Sequence, residues 1–245
     1  MEAGTSSQGL ADINPRVLVI GATQGTGYQI ASLLLQEGYR VRALARNEAK
    51  AKRTFSSPVE VVVGDITKAD TLPDAIRDVD HVIFTAGVTQ RPAGERLIIA
   101  TEYDGVKTAI TAARNTGFNG RFLYMTSIGV TKSSLAATLL NLIKRNTLKW
   151  RRFAEDEIRR SGLDYTIVRA GFLTNSPGGR RAIEVSQHAY PLALKYRISR
   201  ADVAETFIQA LKHPQTRRTT FEVVWGRARE RKDWNVLFGE LIPDC

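Results

Sequence analysis

The stretch from Arg16 to Leu35 constrains the fold most strongly, because an apolar run of strand length leads through three glycines into an apolar pattern of helical period. A strand, a glycine turn and a helix in this order are typical of a dinucleotide-binding site. Gly21 is expected to allow a tight turn, Gly25 a close approach of the backbone to a pyrophosphate, and Gly27 the packing of helix on strand. The first N–H groups of the helix would face the anion. An ordinary glycine-rich turn is the alternative, and the flanking strand and helix argue against it.

The length and composition favour one α/β domain with a substantial core, since the chain has 245 residues of which 43% are hydrophobic. The single cysteine, Cys245, allows neither a disulfide framework nor a thiolate metal site. Residues 1–14 are small and polar and lack the apolar core of a signal peptide, which predicts a flexible tail before one domain over 15–245. No apolar run reaches transmembrane length. We therefore expect a soluble, cytoplasmic protein.

The formal net charge of +10 comes from basic clusters along the chain. Such a balance suits anionic ligands, nucleic acid or acidic membranes. No RNA-binding aromatic signature or DNA-reading motif accompanies it, so a solvated basic surface is the preferred interpretation and no specific nucleic acid partner is expected. The three histidines lack the spacing of metal ligands, which predicts no metal site.

Strand-length apolar runs alternate with helical patterns after the glycine turn. The predicted strands cover 17–20, 39–45, 59–63, 81–84, 121–125, 164–168 and 220–225. The predicted helices cover 47–55, 68–76, 98–116, 203–211 and 232–241, with loops over 88–96 and 172–181. This alternation predicts a Rossmann-type, doubly wound parallel α/β sheet with ligands at the carboxyl ends of its strands. A small C-terminal substrate-binding region is expected, with pocket segments over about 131–150, 172–198 and 226–245.

The end of the second predicted strand indicates which dinucleotide is bound. A site for NAD has an acidic residue there for the ribose 2′-hydroxyl, whereas this chain has Arg42 and Arg46 and no acid before Glu48. A guanidinium suits a 2′-phosphate. We therefore predict NADP(H) as the cofactor, with Arg46 as the main contact. Arg42 is either a second ligand or an exposed strand residue.

The ends of the third and fourth strands supply further candidate cofactor contacts. Asp65 and Ile66 follow the third strand, where a polar side chain either faces the adenine ring or caps the turn before the next helix. Thr85, Ala86 and Gly87 follow the fourth strand, and their small size would let a dinucleotide pass over the strand end.

Several motifs together carry a resemblance to a known family. In chain order they are Gly21 to Gly27, Arg46, Gly64-Asp65, Tyr124 to Gly129, Ser161 to Gly171 and Ile198 to Ala204. The chain resembles the atypical short-chain dehydrogenase/reductase superfamily, in its NAD(P)H-binding, NmrA-like branch, from about Pro15 to Trp225. Such relatives include flavin, biliverdin and quinone reductases, photosystem assembly factors and redox sensors without catalysis. The resemblance therefore specifies fold and cofactor better than it specifies a reaction.

The resemblance also implies particular cofactor contacts. Thr23, Gln24, Thr26 and Gly27 are expected to touch phosphate or the nicotinamide ribose. The Arg-Pro-Gly turn of the family reads Arg169, Ala170 and Gly171 here, followed by Phe172. Backbone contacts from Ala170, Gly171 and Phe172 to the cofactor remain expected although the rigid proline is missing.

A catalytic Tyr-x-x-x-Lys pair is implied by the same resemblance, and this chain lacks it. In the family the Tyr gives a proton to the substrate oxygen, the Lys lowers its pKa, and a Ser binds that oxygen. Ser127 matches the Ser and is either a substrate contact or a strand-end residue bonded to backbone. One alignment puts Leu140 and Lys144 at the pair. The other, which matches the following block without gaps, puts Thr147 and Arg151 there; Arg151 could hold the ribose but could not act as an acid.

The missing tyrosine leaves three hypotheses for the function. The first is an NADPH-dependent oxidoreductase that transfers hydride to an apolar or aromatic small molecule, such as a flavin, a quinone or a conjugated ketone. The second is a non-catalytic NADP(H)-binding sensor or assembly protein, and the third is an epimerase or isomerase. Segment 131–150 has leucines at helical spacing and a basic end, so it is a helix packed on the core, a lid, or an amphipathic surface for a membrane or partner. A monomer or a dimer is expected.

Overall fold

The computed structural model of the chain describes residues 14–55, 58–88, 93–132, 135–143, 146–228 and 230–245. The tail predicted over 1–14 lies outside the described residues except for Asn14. The strands are β1 (Arg16–Ile20), β2 (Arg40–Ala45), β3 (Glu60–Val63), β4 (His81–Phe84), β5 (Arg121–Ser127), β6 (Asp164–Ala170), β7 (Phe172–Thr174), β8 (Ile183–Ser186), β9 (Arg197–Ser199) and β10 (Thr219–Trp225). The helices are α1 (Gly25–Gln36), α2 (Glu48–Thr54), α3 (Leu72–Ile76), α4 (Glu95–Ile99), α5 (Gly105–Asn115), α6 (Leu135–Ile143), α7 (Thr147–Arg160), α8 (Arg200–Lys212) and α9 (Trp234–Phe238).

The main sheet has eight strands in the order β3-β2-β1-β4-β5-β6-β10-β8. Neighbouring strands run parallel except β8, which pairs antiparallel with β10. The strand order reverses at β1, which lies between β2 and β4, so a crevice opens at the carboxyl ends of these strands where such sheets bind ligands. The predicted Rossmann-type, doubly wound parallel sheet is confirmed.

The strand β1 is buried on both faces, as expected of a central parallel strand. Val17 and Val19 pack in the layer that contains α1 and α8, whereas Leu18 and Ile20 pack in the layer that contains α3, α5 and α7. These side chains are 0–1% exposed, and burying each of them stabilises the fold by roughly 1.5–3 kcal/mol. Helices α1 and α7 are therefore fixed on opposite faces of the sheet.

The helix predicted over 98–116 begins earlier than expected. Helix α4 starts at Glu95, inside the loop predicted over 88–96, and leads through a π-helical turn, Ala100–Asp104, directly into α5. Residues 89–92 of that predicted loop lie outside the described residues. Single π turns are frequent at functional sites because they change which residues of a helix face inward. The inward residue here is Glu102, which is 3% exposed.

Three other predicted helices also differ from the structure, and of the one predicted over 232–241 only Trp234–Phe238 is helical. Within 68–76, Ala69–Thr71 is a 3₁₀ turn and only Leu72–Ile76 is α-helical, with a proline in its first turn. Helix α8 begins at Arg200 instead of Val203, because the Ser199 side chain accepts a hydrogen bond from the backbone N–H of Asp202 at 2.9 Å. A Ser with an acid three residues later is a pattern that caps the start of a helix.

The segment over 131–150 forms α6 and the start of α7, and Asn146 connects them with a φ of +64°. Leu148 is buried at 3% exposure, but Leu139 is 56% and Leu142 is 76% exposed. The interpretation as a helix packed on the core is therefore wrong for these two leucines. Lys144 and Arg145 of the predicted basic end lie outside the described residues, whereas Lys149 is exposed on α7.

The loop predicted over 172–181 begins with the short strand β7, which pairs in parallel with β9. The backbone N–H of Phe172 donates to the carbonyl oxygen of Tyr196 at 2.8 Å. The pairing joins segments that are distant in sequence, so no local pattern could predict it. Among the described residues, no helix has the length and apolar character needed to cross a bilayer.

Candidate functional site

Three glycines shape the turn between β1 and α1, each for a definite reason. Gly21 has a φ of +95° and Gly25 a φ of +57°, where other residues are strained. At Gly27 an added Cβ would stand 2.2 Å from the carbonyl oxygen of Gly21, so only glycine lets the helix approach the turn. Gln24 precedes α1 in extended conformation, and its side chain does not cap the helix. The turn thus offers the uncapped N–H groups of α1 to an anion, which fits a dinucleotide pyrophosphate.

The end of β4 packs directly against this turn. Thr85 donates hydrogen bonds to the carbonyl oxygen of Ile20 from its backbone N–H at 2.9 Å and from its hydroxyl at 3.1 Å. A Cβ added at Gly21 would stand 2.8 Å from the backbone nitrogen of Ala86. The structure therefore brings Thr85 and Ala86 beside the glycines, as the sequence predicts. The Thr85 hydroxyl, however, already donates its hydrogen bond to the backbone of β1.

Glu102, Thr147 and Arg151 form a hydrogen-bonded cluster beside Gly87, called the Glu102 group below. Arg151 donates from Nε to Oε2 of Glu102 at 3.0 Å and from Nη2 to Oε1 at 3.1 Å. The Thr147 hydroxyl donates to Oε2, and the backbone N–H of Val88 donates to Oε1 at 3.2 Å. A Cβ added at Gly87 would stand 3.3 Å from Nη2 of Arg151, so the small residue at the end of β4 makes room for the guanidinium.

The Glu102 group holds its charges at neutral pH. Burial alone would raise the pKa of Glu102, but the Arg151 charge and the hydrogen bonds from Arg151, Thr147 and Val88 outweigh burial and hold the pKa below its ordinary value. Burial acts to lower the pKa of Arg151, and the Glu102 carboxylate more than offsets it, so the pKa is raised. The group therefore supplies a fixed cation and a fixed anion, and neither of them can donate a proton to a substrate.

Tyr124 on β5 lies near the Glu102 group but is 2% exposed. Burial raises its pKa, so the phenol stays protonated. Its ring packs edge-on against Phe84 at a centroid distance of 5.8 Å. Because the side chain is enclosed between sheet and helices, Tyr124 does not replace the missing tyrosine at the surface of the crevice.

Sequence reasoning did not identify Glu102. A signal was present, because Ile98, Glu102 and Val106 follow each other at intervals of four residues on the inward face of the predicted helix. Both apolar neighbours in this row are buried, at 4% and 0% exposure. An acidic residue on an otherwise apolar helix face requires a cationic partner, and Arg151 is that partner.

Ser127 ends β5, half-buried, with Ala170 as its partner in the neighbouring strand. Within the described part of the chain its hydroxyl has no hydrogen-bond partner. The interpretation as a strand-end residue bonded to backbone is therefore not supported for the side chain. The hydroxyl remains available to a ligand at the carboxyl edge.

The backbone N–H groups predicted to contact the cofactor after β6 are already bonded within the protein. Gly171 donates to the carbonyl oxygen of Val223 at 3.0 Å, and Phe172 donates to that of Tyr196 at 2.8 Å. The carbonyl oxygen of Ala170 accepts from Ile128 at 3.0 Å. Contacts from this turn to a ligand would thus have to come from groups other than these, such as the Phe172 side chain.

Arg46 and Asp65 lie together at the carboxyl ends of β2 and β3. Arg46 is exposed, and within the described residues its guanidinium forms no hydrogen bond. Asp65 accepts hydrogen bonds at Oδ1 from the N–H and the hydroxyl of Thr67, at 3.0 and 2.9 Å, so its side chain caps the turn. Burial opposes the shift, but these bonds and the charge of Arg46 lower the pKa of Asp65. Ile66 packs against Gly105, where a Cβ would stand 3.1 Å from its Cδ1.

Both interpretations of Arg42 are wrong. Its side chain is neither exposed nor directed at a ligand site, since the residue is 6% exposed. It donates to the carbonyl oxygens of Ala75 at 3.0 Å and Arg77 at 2.6 Å, which are at the end of α3. It also pairs with Glu60 at 2.7 Å. Arg42 therefore closes the carboxyl end of a helix, where a cation is favoured.

The predicted pocket segments 131–150 and 172–198 meet beyond β5. A cleft of about 320 Å³ lies between the β5–α6 connection and helices α6 and α7. Apolar Val130, Leu148 and Phe153 line it together with basic Lys149 and Arg152. The third segment, 226–245, begins beside the second, since the backbone N–H of Gly226 donates to the carbonyl oxygen of Ala182 at 2.9 Å. Its last residues lie at the opposite edge of the sheet, where Asp244 accepts a hydrogen bond from the backbone N–H of Thr220 at 3.1 Å.

Comparison with known proteins gives the context of this site. Residues 21–214 match the family described as NAD(P)H-binding. Sanguinarine reductase of Eschscholzia californica is 28% identical over 264 residues, which cover 92% of this chain and 95% of that protein. The photosystem II assembly factor Ycf39 of Trieres chinensis is 26% identical over 242 residues, covering 94% of this chain and 67% of that protein.

Among solved structures, a Bacillus halodurans protein with the provisional name NAD-dependent epimerase/dehydratase is 28% identical. It superimposes with a TM-score of 0.75 over 88% of this chain and 96% of its own. These comparisons confirm the expected kinship with dehydrogenase/reductase-type Rossmann proteins and a nicotinamide dinucleotide as the cofactor. The assignment to the NmrA-like branch stays a prediction.

Proposed function

The chain belongs to the NAD(P)H-binding family, and we propose that it is an NADPH-dependent oxidoreductase that reduces a flavin, a quinone or a conjugated ketone. The Glu102 group carries this proposal. Where the dehydrogenases that it resembles have a proton-donating Tyr and a Lys, this chain has Thr147 and Arg151, both bound to a carboxylate. A site without an acid suits an acceptor whose reduced form is a delocalised anion, because water can supply its proton.

Each group of candidate residues has a role in this proposal. The first turn of α1, with Thr23, Gln24 and Thr26, would hold the pyrophosphate, and Arg46 would bind the 2′-phosphate. Arg151 would donate a hydrogen bond to the nicotinamide ribose while Glu102 keeps its guanidinium in place. When bound, NADPH supplies the hydride. The hydroxyl of Ser127, which has no partner among the described residues, would donate a hydrogen bond to the acceptor oxygen.

The surroundings of Ser127 support an apolar or aromatic acceptor. Ile128 and Leu192 are 1% and 6% exposed, and the partly buried Phe172 packs in the same apolar cluster. Lys149 and Arg152 line the adjoining cleft together with one acid, Asp156, which is paired with Arg159. The net positive charge would attract an acceptor that carries a carboxylate or phosphate. An FMN-like or acidic quinone-like molecule combines both properties.

The test compares acceptors that differ in their need for an acid. Purified protein is mixed with NADPH and FMN, a benzoquinone, a conjugated ketone or a saturated ketone, and NADPH oxidation is followed. We expect turnover with at least one of the first three and none with the saturated ketone. Ser127→Ala should lower kcat about tenfold with such an acceptor, as for a single lost hydrogen bond to the reacting oxygen. Protein that binds NADPH but oxidises it with none of these acceptors would contradict the proposal.

A non-catalytic NADP(H)-binding sensor or assembly protein is the second candidate. Exposed Leu139 and Leu142 on α6 favour it, because they form an apolar strip that suits a protein or membrane partner. The relative named as a photosystem II assembly factor shows that a similar chain serves such a role. Tagged protein that recovers a stable partner with NADPH present, and loses it in Leu142→Asp, would support this candidate over the oxidoreductase.

A further inference from the structure

Helices α1 and α8 lie side by side with their first turns at the same edge of the sheet. At their carboxyl ends, Lys212 of α8 forms an ion pair with Glu37, next to the end of α1. At their amino ends, a Cβ added at Gly25 would stand 3.7 Å from Nε of Arg200. Arg200 is the first residue of α8. Its guanidinium therefore lies directly over the turn that starts α1.

The charge of Arg200 is not neutralised by a carboxylate among the described residues. Its Nη1 donates to Oδ1 of Asn175 at 2.7 Å, which is a neutral partner. The nearest acid of α8, Asp202, already accepts hydrogen bonds from Ser199, Trp225 and the backbone of Gly179. An anion from outside the protein would therefore be a suitable partner for this guanidinium.

The Gly25 turn would also favour an anion. The first N–H groups of α1 have no side-chain cap, and the helix dipole adds partial positive charge there. A guanidinium beside an uncapped helix start is unfavourable unless an anion lies between them. Gly25 puts no side chain into that space, because it has none and its φ of +57° excludes most other residues.

We infer that Arg200 binds the dinucleotide pyrophosphate from the side opposite the α1 turn, with Asn175 orienting its guanidinium. The inference rests on the cofactor binding in the proposed function and not on hydride transfer. Arg200 thereby adds a cofactor contact from the C-terminal third of the chain to a site otherwise built from the glycine turn. Neither the glycine motif nor the strand ends indicate this contact.

The experiment separates the pyrophosphate from the 2′-phosphate with three ligands: NADPH, NADH and adenosine 2′-monophosphate, which has no pyrophosphate. Calorimetric titrations compare wild type with Arg200→Gln, Arg46→Gln and Arg197→Gln. Arg197 is an exposed arginine in the same segment whose Nε donates to the carbonyl of Leu194, so its variant controls for the loss of one positive charge.

Arg200→Gln should raise the Kd of NADPH and of NADH by a common factor of about ten and leave the Kd of adenosine 2′-monophosphate unchanged. Arg46→Gln should weaken NADPH and adenosine 2′-monophosphate but not NADH, and Arg197→Gln should change none of them. Unchanged dinucleotide binding in Arg200→Gln, or a loss equal to that of Arg197→Gln, overturns the inference. A loss confined to NADPH also overturns it.

Arg200→Lys, which keeps the charge, should bind the dinucleotides more tightly than Arg200→Gln, and this comparison controls for an effect of the substitution on folding. Failure of hydride transfer with these Kd values intact would refute only the proposed reaction.

Discussion

Arg151 neutralises a carboxylate that is almost completely buried, so its loss should reduce stability as well as cofactor binding. Glu102 is 3% exposed and the Arg151 side chain 26%. In Arg151→Ala the carboxylate stays buried without its cation, and we expect the free energy of unfolding to fall by about 3 kcal/mol, the lower end for breaking a buried pair. Urea unfolding of the purified variant measures this loss.

The matched control is the double variant Arg151→Ala with Glu102→Gln, which removes both charges and keeps the size of the acidic side chain. It should recover more than half of the lost stability, because no unpaired charge is left in the interior. Equal stability of wild type and Arg151→Ala would show that the ion pair does not contribute to folding.

Arg46 is expected to determine the choice between the two nicotinamide dinucleotides. Its exposed guanidinium at the end of β2 can form charge-assisted hydrogen bonds with a 2′-phosphate. Wild type should therefore bind NADPH about tenfold more tightly than NADH, as expected for one such contact, and Arg46→Gln should abolish the difference. Titrations that follow the fluorescence of the bound nicotinamide measure both affinities. Arg42→Gln is not a suitable control, because Arg42 has a structural role. Equal affinities in wild type would refute the assignment.

The leucines of α6 and of the start of α7 contribute unequally to the core, which is a prediction at the scale of the elements. Leu142 is 76% exposed, so Leu142→Asp should change the free energy of unfolding by less than about 0.5 kcal/mol. Leu148, in the first turn of α7, is 3% exposed, and Leu148→Ala should destabilise by about 3 kcal/mol. A large effect of Leu142→Asp in chemical unfolding would mean that α6 packs more closely than described.

Elements β6, β10 and α7 are joined by a buried charged network. Arg169 of β6 donates to Glu155 of α7 at 2.6 Å, and its Nη1 lies 3.7 Å from Oε1 of Glu222 on β10. Burial raises the pKa of Glu222 to about 7, opposed by the N–H of Tyr190 and by Arg169, and reinforced by Glu155. Glu222 therefore takes up a proton on folding in weakly acidic solution.

A carboxyl group whose pKa is raised in the folded state stabilises the folded protein when it is protonated. For Glu222 this contribution is fully present below the unfolded pKa of 4.5, and it is lost as the pH rises through the folded pKa of about 7. We expect wild type to lose roughly 3 kcal/mol between pH 4.5 and pH 8 from this group. Glu222→Gln mimics the protonated form and should lack that loss. Urea unfolding of both proteins across this range gives the difference, and parallel curves would refute the assignment of this titration to Glu222.

Elements defined by local patterns could be predicted from the sequence, and elements defined by distant contacts could not. The strand β1 and the turn to α1 follow from an apolar run and three glycines, and β4 was predicted with its observed bounds. The pairing of β7 with β9 and the antiparallel position of β8 depend on segments far apart in the chain. The π turn that contains Glu102 leaves no mark in the periodicity, and an acid on an apolar helix face is the one local sign of the buried carboxylate.

At the scale of the molecule, the parallel sheet explains why so much of the candidate site could be predicted. The strands β1 to β6 all end at the same edge of the sheet, so the residues that follow them lie close together whatever the conformation of the loops. Thr85 and Arg46 were found by that rule, whereas Ser127 was identified through the family resemblance. Arg200 and Glu102 were found by neither, because one belongs to the start of a helix late in the chain and the other to a helix interior.

The position of α1 and α7 on opposite faces of the sheet has a consequence for the lifetime of the protein in a cell. A dinucleotide that contacts the first turn of α1 and Arg151 of α7 would touch both helical layers at once. Binding would then protect the whole fold from opening, by an amount set by the ratio of free cofactor to Kd. Molecules without cofactor would open and be degraded faster, so the abundance of the protein would follow the supply of reduced nicotinamide.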